Sequence, residues 1–313
     1  MSSGDVTLAA LEQELTGTGV TVVPRAALDQ LTTLRVGGPA GLFVTVEDEQ
    51  ALVAVTAATA RRAVPLLVLG RGSNLLVQDE GWPGVVLRLG SGFRGTVVDG
   101  TTVRAGAAEP MPSVAVHTAR LGLTGFAWGA AVPGTMGGGV RMNAGAHGAD
   151  MAASLVSARV LDGRSGAVEE WEAGRLELRY RHSALEPHHV VVSVELVLEP
   201  DDPVRVMAEI DAIRTWRREH QPLNRPSCGS VFTNPPGRSA GALIEEAGLK
   251  GVRIGGAEVS ETHANFIVTS EGARAADVAA LIDLVAERVH EHAGIELRSE
   301  VVRAGVPPTT DVA

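Results

Sequence analysis

The chain has 313 residues, 45% of them hydrophobic but only 3% aromatic, so its core must be built largely from aliphatic side chains. This length predicts two or three domains. The formal net charge is −10, which argues against nucleic acid or anionic lipid as a partner. Any anion must therefore be bound by a local cluster of donors.

Cys228 is the only cysteine, so an intrachain disulfide is excluded. The N-terminal residues lack the basic segment and apolar core of a secretory signal. No apolar run reaches the ~18 residues needed to span a bilayer. We expect a cytoplasmic protein with no membrane partner.

Taken in chain order, the first part of the sequence alternates short apolar runs with turns rich in Gly and Asp, which predicts a strand-rich region. Asp48 is a candidate N-cap for the helix that follows it. The predicted helices cover residues 6–15, the stretch after Asp48 to about residue 62, and 110–121. The predicted strands cover residues 42–46, 65–69, 85–89, 95–98 and 103–105, with a GRGSN turn at 70–74.

Further strands are predicted at residues 155–161, 168–171 and 190–198. The EPDDP segment at 199–203 changes the composition and predicts a domain boundary near Pro200. The remaining pattern alternates between helix and strand and ends in a tail at 306–313 that we expect to be disordered. It predicts helices at 204–220, 240–247 and 277–292, and a strand at 295–302.

The glycine-rich segment at 133–148, PGTMGGGVRMNAGAHG, predicts a backbone-lined site for a phosphorylated cofactor. Its glycines leave backbone amides uncovered, and Asn143 and the GRGSN turn add short side-chain donors. The spacing differs from the GxGxxG dinucleotide fingerprint, which disfavours a Rossmann dehydrogenase. The alternative is a pair of tight turns without a ligand, but two such segments together favour the site.

Two further segments carry polar groups of catalytic type. Arg181, in YRHS at 180–183, is a forked cation suited to carboxylate or phosphate, or else a surface Arg at a strand end. Ser230 follows Gly229 and could present its hydroxyl on a tight turn, or be an ordinary turn serine. Because the segment is not GxSxG, a hydrolase nucleophile is disfavoured. Cys228 is interpreted as a packed residue.

Glu300 lies in ELRSEVV, where a strand pattern places it on one face with Arg298 and Val302. Such a carboxylate is solvated unless the fold brings it to other polar groups. The nine histidines show no metal-ligand spacing, so no metal site is expected. The pair His188-His189 precedes a strand and is expected to be exposed.

These segments, in this order, resemble the UDP-N-acetylenolpyruvoylglucosamine reductase family of flavoenzymes in peptidoglycan precursor synthesis. The resemblance runs over nearly the whole chain, and the combination of motifs is specific although no single piece is. The segments that carry it are TTLRVGGPA at 32–40, LGRGSNLLVQDEGWPGVVL at 69–87, PGTMGGGVRMNAG at 133–145, YRHS at 180–183, QPLNRPSCGSVFTNP at 221–235, AGALIEEAGLKG at 240–251, SETHANFIV at 260–268 and SEVVRAG at 299–305.

The resemblance implies an α+β, vanillyl-alcohol-oxidase (PCMH)-type FAD-binding fold with a separate C-terminal substrate-binding domain. It implies FAD-binding subdomains at 1–88 and 89–200, the second joined by a C-terminal strand at 296–304, and a substrate-binding domain at 203–295. The FAD pyrophosphate is expected along the two glycine segments. The candidate cofactor-binding residues are Gly70, Arg71, Gly72, Ser73, Asn74, Pro133, Gly134, Thr135, Gly137, Gly138, Asn143 and Gly145.

The implied reaction has two halves, in which NADPH reduces FAD and the flavin passes hydride to the enolpyruvyl β-carbon of the sugar nucleotide. Arg181 and a protonated Glu300 would stabilise the carboxylate of the substrate as its negative charge grows. Ser230 would protonate the α-carbon. The candidate substrate-binding residues are Tyr180, Arg217, Asn234 and His263.

The chain departs from the family pattern at Ala127, where Glu is frequent, at Ala131, where Gly is frequent, and at Thr233 and Thr262, where Lys is usual. Two alternatives stay open, and only the second is supported by the changes at Ala127 and Thr233. One is another FAD-linked oxidase of the same fold acting on a sugar or lactone. The other is a paralogue that binds FAD without turnover. We expect a monomer.

Overall fold

A computed structural model of the chain describes residues 3–16 and 19–305, so the predicted tail at 306–313 lies outside the described residues. Eight α-helices are defined in the described part, besides four short 3-10 helices. They are α1 (Ser3–Leu15), α2 (Glu49–Arg61), α3 (Met111–Arg120), α4 (Met136–Arg141), α5 (Ala173–Leu176), α6 (Pro203–His220), α7 (Ala240–Glu246) and α8 (Ala275–Ala293).

The strands are short and numerous, as the turn-rich sequence predicts. They are β1 (Thr21–Pro24), β2 (Ala40–Val46), β3 (Leu66–Val68), β4 (Leu75–Val77), β5 (Trp82–Leu89), β6 (Thr96–Asp99), β7 (Thr102–Gly106), β8 (Leu123–Thr124), β9 (Gly145–Ala146), β10 (Ala149–Asp150), β11 (Leu155–Asp162), β12 (Val168–Glu172), β13 (His189–Val197), β14 (Glu199–Pro200), β15 (Ser227–Ser230), β16 (Arg253–Ile254), β17 (Ala257–Val259), β18 (Phe266–Thr269) and β19 (Val302–Ala304).

The chain divides into two compact units. The first unit comprises Met1–Pro24, Leu42–Arg71 and Gly84–Arg217, and the second comprises Arg25–Gly41, Gly72–Pro83 and Arg218–Ala313. Each unit is therefore assembled from separate stretches of the sequence. The predicted subdivision of the FAD-binding region at residue 88 stays a prediction.

One sheet of the first unit has the strand order β1-β2-β5-β3. β3 and β5 run parallel, with Leu66 opposite Val85. Asp48 caps α2 by accepting a hydrogen bond of 2.7 Å from the backbone N–H of Ala51, which confirms the predicted N-cap. Leu52 of α2 is fully buried in the core beside this sheet.

The second sheet of this unit is antiparallel, with the order β12-β11-β13-β7-β6. A second hydrophobic core contains many of the buried residues of this sheet together with those of α3 and α4. It also includes Val206, Ile210 and Ile213 from α6. The sequence analysis assigned this helix to the substrate-binding domain beginning at 203, but its apolar face packs in the first unit.

The second unit contains a sheet ordered β15-β18-β17-β16 and helices α7 and α8, with Val278, Leu281 and Val285 of α8 fully buried in its core. Asp79 accepts hydrogen bonds from the first two backbone amides of α8, at 2.8 and 3.1 Å. This carboxylate compensates donors that the helix itself leaves unpaired.

The C-terminal segment differs from its prediction in two ways. β19 pairs in parallel with β4, a strand that the sequence analysis missed, so assigning it to the 89–200 subdomain was wrong. The predicted strand over 295–302 is also wrong, because only Val302–Ala304 forms a strand. In the preceding stretch the backbone forms only an isolated bridge, between Ser299 and Phe232.

Candidate functional site

Gly70 of the shorter glycine segment and Thr135 of the longer one lie close together in the first unit. A Cβ placed on Gly70 would lie 2.9 Å from the hydroxyl oxygen of Thr135, closer than side chains tolerate. The absence of a side chain at residue 70 therefore allows the GRGSN turn to approach the start of the longer segment.

The middle of the longer segment is a helix, where the sequence analysis expected uncovered amides. Thr135 is its N-cap and accepts a hydrogen bond from Gly138 at 3.3 Å. The amides of Gly137 and Gly139 donate to backbone carbonyls at 2.9 and 2.8 Å. A Cβ on Gly139 would meet the sulfur of Met111 at 2.8 Å, so this glycine serves close packing. The amides of 137–139 thus donate within the chain, and the cofactor contacts predicted for Gly137 and Gly138 stay predictions.

Other backbone donors remain for an anion. Among the described residues, the amides of Arg71, Gly72 and Ser73 donate no hydrogen bond within the chain, and the same holds for Gly134 and Thr135. Backbone N–H groups in such turns bind phosphate oxygens. The unused amides of the first unit, those of Arg71, Gly134 and Thr135, therefore fit a dinucleotide pyrophosphate.

The two asparagines of the glycine segments already donate hydrogen bonds within the chain. Asn143 is 1% exposed, and its side-chain nitrogen donates to Asp150 at 3.0 Å and to the carbonyl of Arg179 at 2.9 Å. The side-chain nitrogen of Asn74 donates to the carbonyl of Glu300 at 2.8 Å. Both side-chain amides therefore stabilise the loops around them through these hydrogen bonds.

Arg181 is tied to the glycine-rich segment. Its guanidinium donates to the carbonyl of Gly145 at 3.0 Å, and its backbone has a positive φ of 55°. Ser183, two residues later, donates to the carbonyl of Arg141 at 2.7 Å. Tyr180 is 54% exposed, with the Arg181 guanidinium 5.1 Å from its ring centre. The YRHS loop is thereby fixed beside the residues that follow α4.

Sequence reasoning missed the side chain that anchors this loop. Arg141 donates to the carbonyls of Glu186 and His189 at 3.1 and 2.5 Å, and burial lowers the pKa of its guanidinium. A basic residue at the end of a glycine-rich run was the only sequence signal for it. Arg141 connects the end of α4 to the loop that carries Arg181.

The segments that carry Ser230 and Glu300 are joined by a backbone hydrogen bond in the second unit. The backbone N–H of Glu300 donates to the carbonyl of Val231 at 2.9 Å. Ser230 ends β15, and the pairing of β15 with β18 shifts register between Ser227 and Ser230. Gly229 has a φ of 80° at this point. The predicted tight turn is therefore a bulge within a strand, a feature that re-aims side chains.

Cys228 precedes the bulge and is buried, as predicted for a packed residue. Burial raises the pKa of its thiol to about 12. Such a thiol is protonated at neutral pH and is neither a nucleophile nor a metal ligand.

The candidate substrate-binding residues fall in both units. Asn234 accepts a hydrogen bond from the first amide of α7 at 3.0 Å. His263 accepts one from Asn265 at 3.2 Å, and burial lowers the pKa of its imidazole. Both lie in the second unit with Ser230 and Glu300, whereas Arg217 lies in the first unit with Arg181. Burial also lowers the pKa of the Arg217 guanidinium.

The histidine pair at 188–189 is not exposed as expected, since His189 is only 8% exposed. Nitrogen atoms of both rings and an oxygen of Asp162 lie within 4.8 Å of one another. However, Nδ1 of His189 accepts a hydrogen bond from the amide of Glu186 at 2.9 Å. The neutral ring then carries its proton on Nε2, which leaves neither nitrogen ready to bind a metal.

Within residues 3–16 and 19–305, none of the helices combines the length and apolar character needed to cross a membrane.

Comparisons with known proteins agree with this geometry. A family model described as an FAD binding domain matches residues 40–171, and one described as the C-terminal domain of UDP-N-acetylenolpyruvoylglucosamine reductase matches residues 221–304. The chain is similar to a solved structure of UDP-N-acetylenolpyruvylglucosamine reductase from Thermus caldophilus. The TM-score is 0.78 at 38% identity, covering 91% of this chain and 98% of the other. The predicted α+β FAD-binding fold with a separate C-terminal domain is confirmed.

Sequence relatives give the same result. UDP-N-acetylenolpyruvoylglucosamine reductase 2 of Symbiobacterium thermophilum is 44% identical over 88% of this chain and 89% of its own length. The reductase of Methylorubrum populi is 42% identical over 90% of each chain. The chain therefore belongs to the UDP-N-acetylenolpyruvoylglucosamine reductase family.

Proposed function

We propose that the protein catalyses the NADPH-dependent, FAD-mediated reduction of UDP-N-acetylglucosamine enolpyruvate to UDP-N-acetylmuramate, a step of peptidoglycan precursor synthesis. Its family membership supports the reaction class. The observation that supports the assignment to this chain is the backbone hydrogen bond between Val231 and Glu300, which joins the segment of Ser230 to a distant segment that carries a glutamate.

The cofactor would be held by backbone groups of the first glycine turn and by Gly134 and Thr135 before α4. Bound FAD supplies the redox chemistry, in which a hydride from NADPH is passed to the β-carbon of the enolpyruvyl group. The chain itself must bind the substrate, stabilise its charge and supply a proton. Asn143, which is buried and saturated with hydrogen bonds, would support the loop rather than touch the cofactor.

Hydride addition to the enolpyruvyl double bond increases the negative charge on the substrate carboxylate. Arg181 would stabilise that charge as a fixed cation, because its orientation is set by the carbonyl of Gly145 before substrate arrives. A preorganised donor of this kind contributes ~3 kcal/mol to transition-state stabilisation. Glu300 would add a hydrogen bond from its protonated carboxyl group.

Ser230 would donate its hydroxyl proton to the α-carbon, forming the C–H bond that completes the reduction. The resulting alkoxide must regain a proton from solvent or a neighbouring group. The bulge at Gly229 supports this role, because it sets the direction of the Ser230 side chain independently of the strand alternation.

Tyr180, Arg217, Asn234 and His263 would bind the sugar nucleotide. The side-chain oxygen of Asn234 already accepts a hydrogen bond from the first amide of α7. We further propose that the enzyme is a cytoplasmic monomer, which light scattering of the purified protein would check.

The test is to purify the protein, record its flavin spectrum and follow NADPH oxidation with and without UDP-N-acetylglucosamine enolpyruvate. The proposal expects consumption that depends on the substrate. Oxygen consumption with a free sugar would indicate an oxidase of the same fold, and a flavin spectrum with no turnover would indicate a binding paralogue.

Separate half-reactions test the proton donor. Ser230→Ala should leave flavin reduction by NADPH unchanged and slow flavin reoxidation by the substrate by ~100-fold or more, the scale of general acid catalysis. Ser227→Ala, on the same strand, is the matched control and should affect neither half-reaction. Equal loss of both half-reactions in the Ser230 variant would remove its assignment as proton donor.

A further inference from the structure

Two arginines lie at one edge of the first sheet. β3 and β5 are parallel, and Val68 lies opposite Leu87. Their carboxyl ends therefore meet at the same edge, where Arg71 follows β3 and Arg88 stands next to the end of β5. The crevice outside the carboxyl ends of parallel strands is a common place for ligand binding.

The guanidinium of Arg88 is half-buried and uncompensated. Its Cζ lies 5.0 Å from the ring centre of Phe43, and its Nε is buried without an acceptor among the described residues. Burial lowers the pKa of Arg88, and the nearby positive charges of Arg94 and Arg71 lower it further. The positive charges of Arg71 and Arg94 therefore act on the Arg88 guanidinium.

Acidic groups do not neutralise this cluster. In the part of the chain that the structure describes, no carboxylate oxygen lies within 4.0 Å of a side-chain nitrogen of Arg71, Arg88 or Arg94. Glu47 accepts hydrogen bonds from Ser91 and Gly92 at 2.8 and 3.0 Å. Arg94 contributes to lowering the pKa of Glu47, so Glu47 offsets Arg94 and leaves Arg71 and Arg88 without a counter-charge.

A partly desolvated cation without an acid partner is unfavourable unless an anion joins it. The planar guanidinium matches the geometry of phosphate oxygens. The unused amides of Arg71, Gly72 and Ser73 stand at the same turn. The positive charge, the unused backbone donors and the strand topology therefore all favour a phosphate-bearing ligand.

We propose that Arg88, together with Arg71, binds a phosphate group of a dinucleotide at the carboxyl ends of β3 and β5. The proposal rests on the proposed function only for the choice of dinucleotides, FAD or NADPH. We assign the phosphate to the FAD diphosphate, because Arg71 belongs to the turn that contacts Thr135 through Gly70. The two arginines would contribute charge to a site whose other donors are backbone amides.

The experiment measures flavin binding to the apoprotein by fluorescence quenching, without turnover. Arg88→Met retains the apolar stem over Phe43 and removes the charge. It should weaken FAD binding by about tenfold to a hundredfold, the scale of a hydrogen bond to a charged group. Arg88→Lys should restore part of the affinity. Arg104→Met, which removes an exposed arginine from β7 paired with Glu195, is the control and should bind FAD as the wild type does.

Two further titrations identify the phosphate. Riboflavin lacks phosphate, so its affinity should be equal for the wild type and Arg88→Met. If FAD affinity is unchanged but the preference for NADPH over NADH falls, the arginines bind the 2′-phosphate of NADPH, which supports the phosphate site and overturns its assignment to FAD. Unchanged FAD affinity with unchanged NADPH preference would overturn the whole proposal. Because FAD binding needs no catalysis, these results are independent of whether the protein is a reductase.

Discussion

Gly70 and Thr135 define how closely the two glycine segments can approach, and this contact can be tested by substitution. A Cβ at residue 70 would lie 2.9 Å from the Thr135 hydroxyl, whereas ordinary contacts begin at 3.4 Å. Gly70→Ala must therefore open the contact by about 0.5 Å. The backbone of Gly70 does not have a positive φ, so alanine at this position introduces no left-handed backbone strain. The contact with Thr135 alone should therefore determine the effect of the substitution on stability.

The expected destabilisation of Gly70→Ala is ~1–3 kcal/mol, the range of overpacking in a tight contact. Thr135→Gly removes the obstructing side chain and costs only a few tenths of a kcal/mol as an N-cap change. In the double variant, alanine at 70 should fit and the loss should largely disappear. The three variants therefore form a double-mutant cycle with a coupling energy of ~1 kcal/mol or more.

The assay is urea unfolding of the apoprotein, accompanied by an FAD titration of each variant. The Gly70→Ala protein should also bind FAD more weakly, because displaced Thr135 carries one of the unused amides. If the two single effects simply add in the double variant, the contact between the segments is not what requires glycine at residue 70.

Three further predictions concern buried polar groups. Asn143→Ala should cost ~1–3 kcal/mol in urea unfolding because it leaves hydrogen-bond partners unpaired, whereas Asn224→Ala at an exposed position should cost little. Cys228, with its thiol pKa raised to about 12, should react with a disulfide reagent at pH 8 only after unfolding, and rapid reaction of the native protein would contradict its burial. Burial lowers the pKa of His263 in the folded state, so its contribution to stability is complete above pH ~6.5 and is lost as the pH falls through the lower folded pKa. His263→Gln should therefore lose less stability than the wild type between pH 7.5 and 5, and parallel pH profiles would refute this.

Local sequence signals predicted most helices because capping and amphipathic periodicity are encoded within a few residues. Asp48 at the start of α2 and the apolar face of α8 are examples. The short strand β4 was missed because its three residues are all buried, so no alternation marks it. Its existence depends on pairing with β19, which sequence periodicity does not encode.

In the candidate site, too, residue types could be recognised from the local sequence, whereas the geometry that depends on tertiary pairing could not. Gly229 and Ser230 were identified from their residue types, but the bulge that orients Ser230 depends on the register with β18. The glycine run at 137–139 suggested open amides, whereas tertiary packing against Met111 makes it a helix. Arg88 escaped notice because nothing local distinguishes an unpaired arginine from a surface one, and only the folded chain shows its missing counter-charge.

The parallel pairing of β4 with β19 also constrains how the chain folds as it is synthesised. β4 is made early, but its partner strand is almost the last described segment to leave the ribosome. The second unit must therefore wait for nearly the complete chain, while the first unit can fold once residue 217 has emerged. During that interval, Leu75–Val77 presents unpaired backbone groups and apolar side chains, which makes this strand the place where premature termination or C-terminal truncation should promote aggregation.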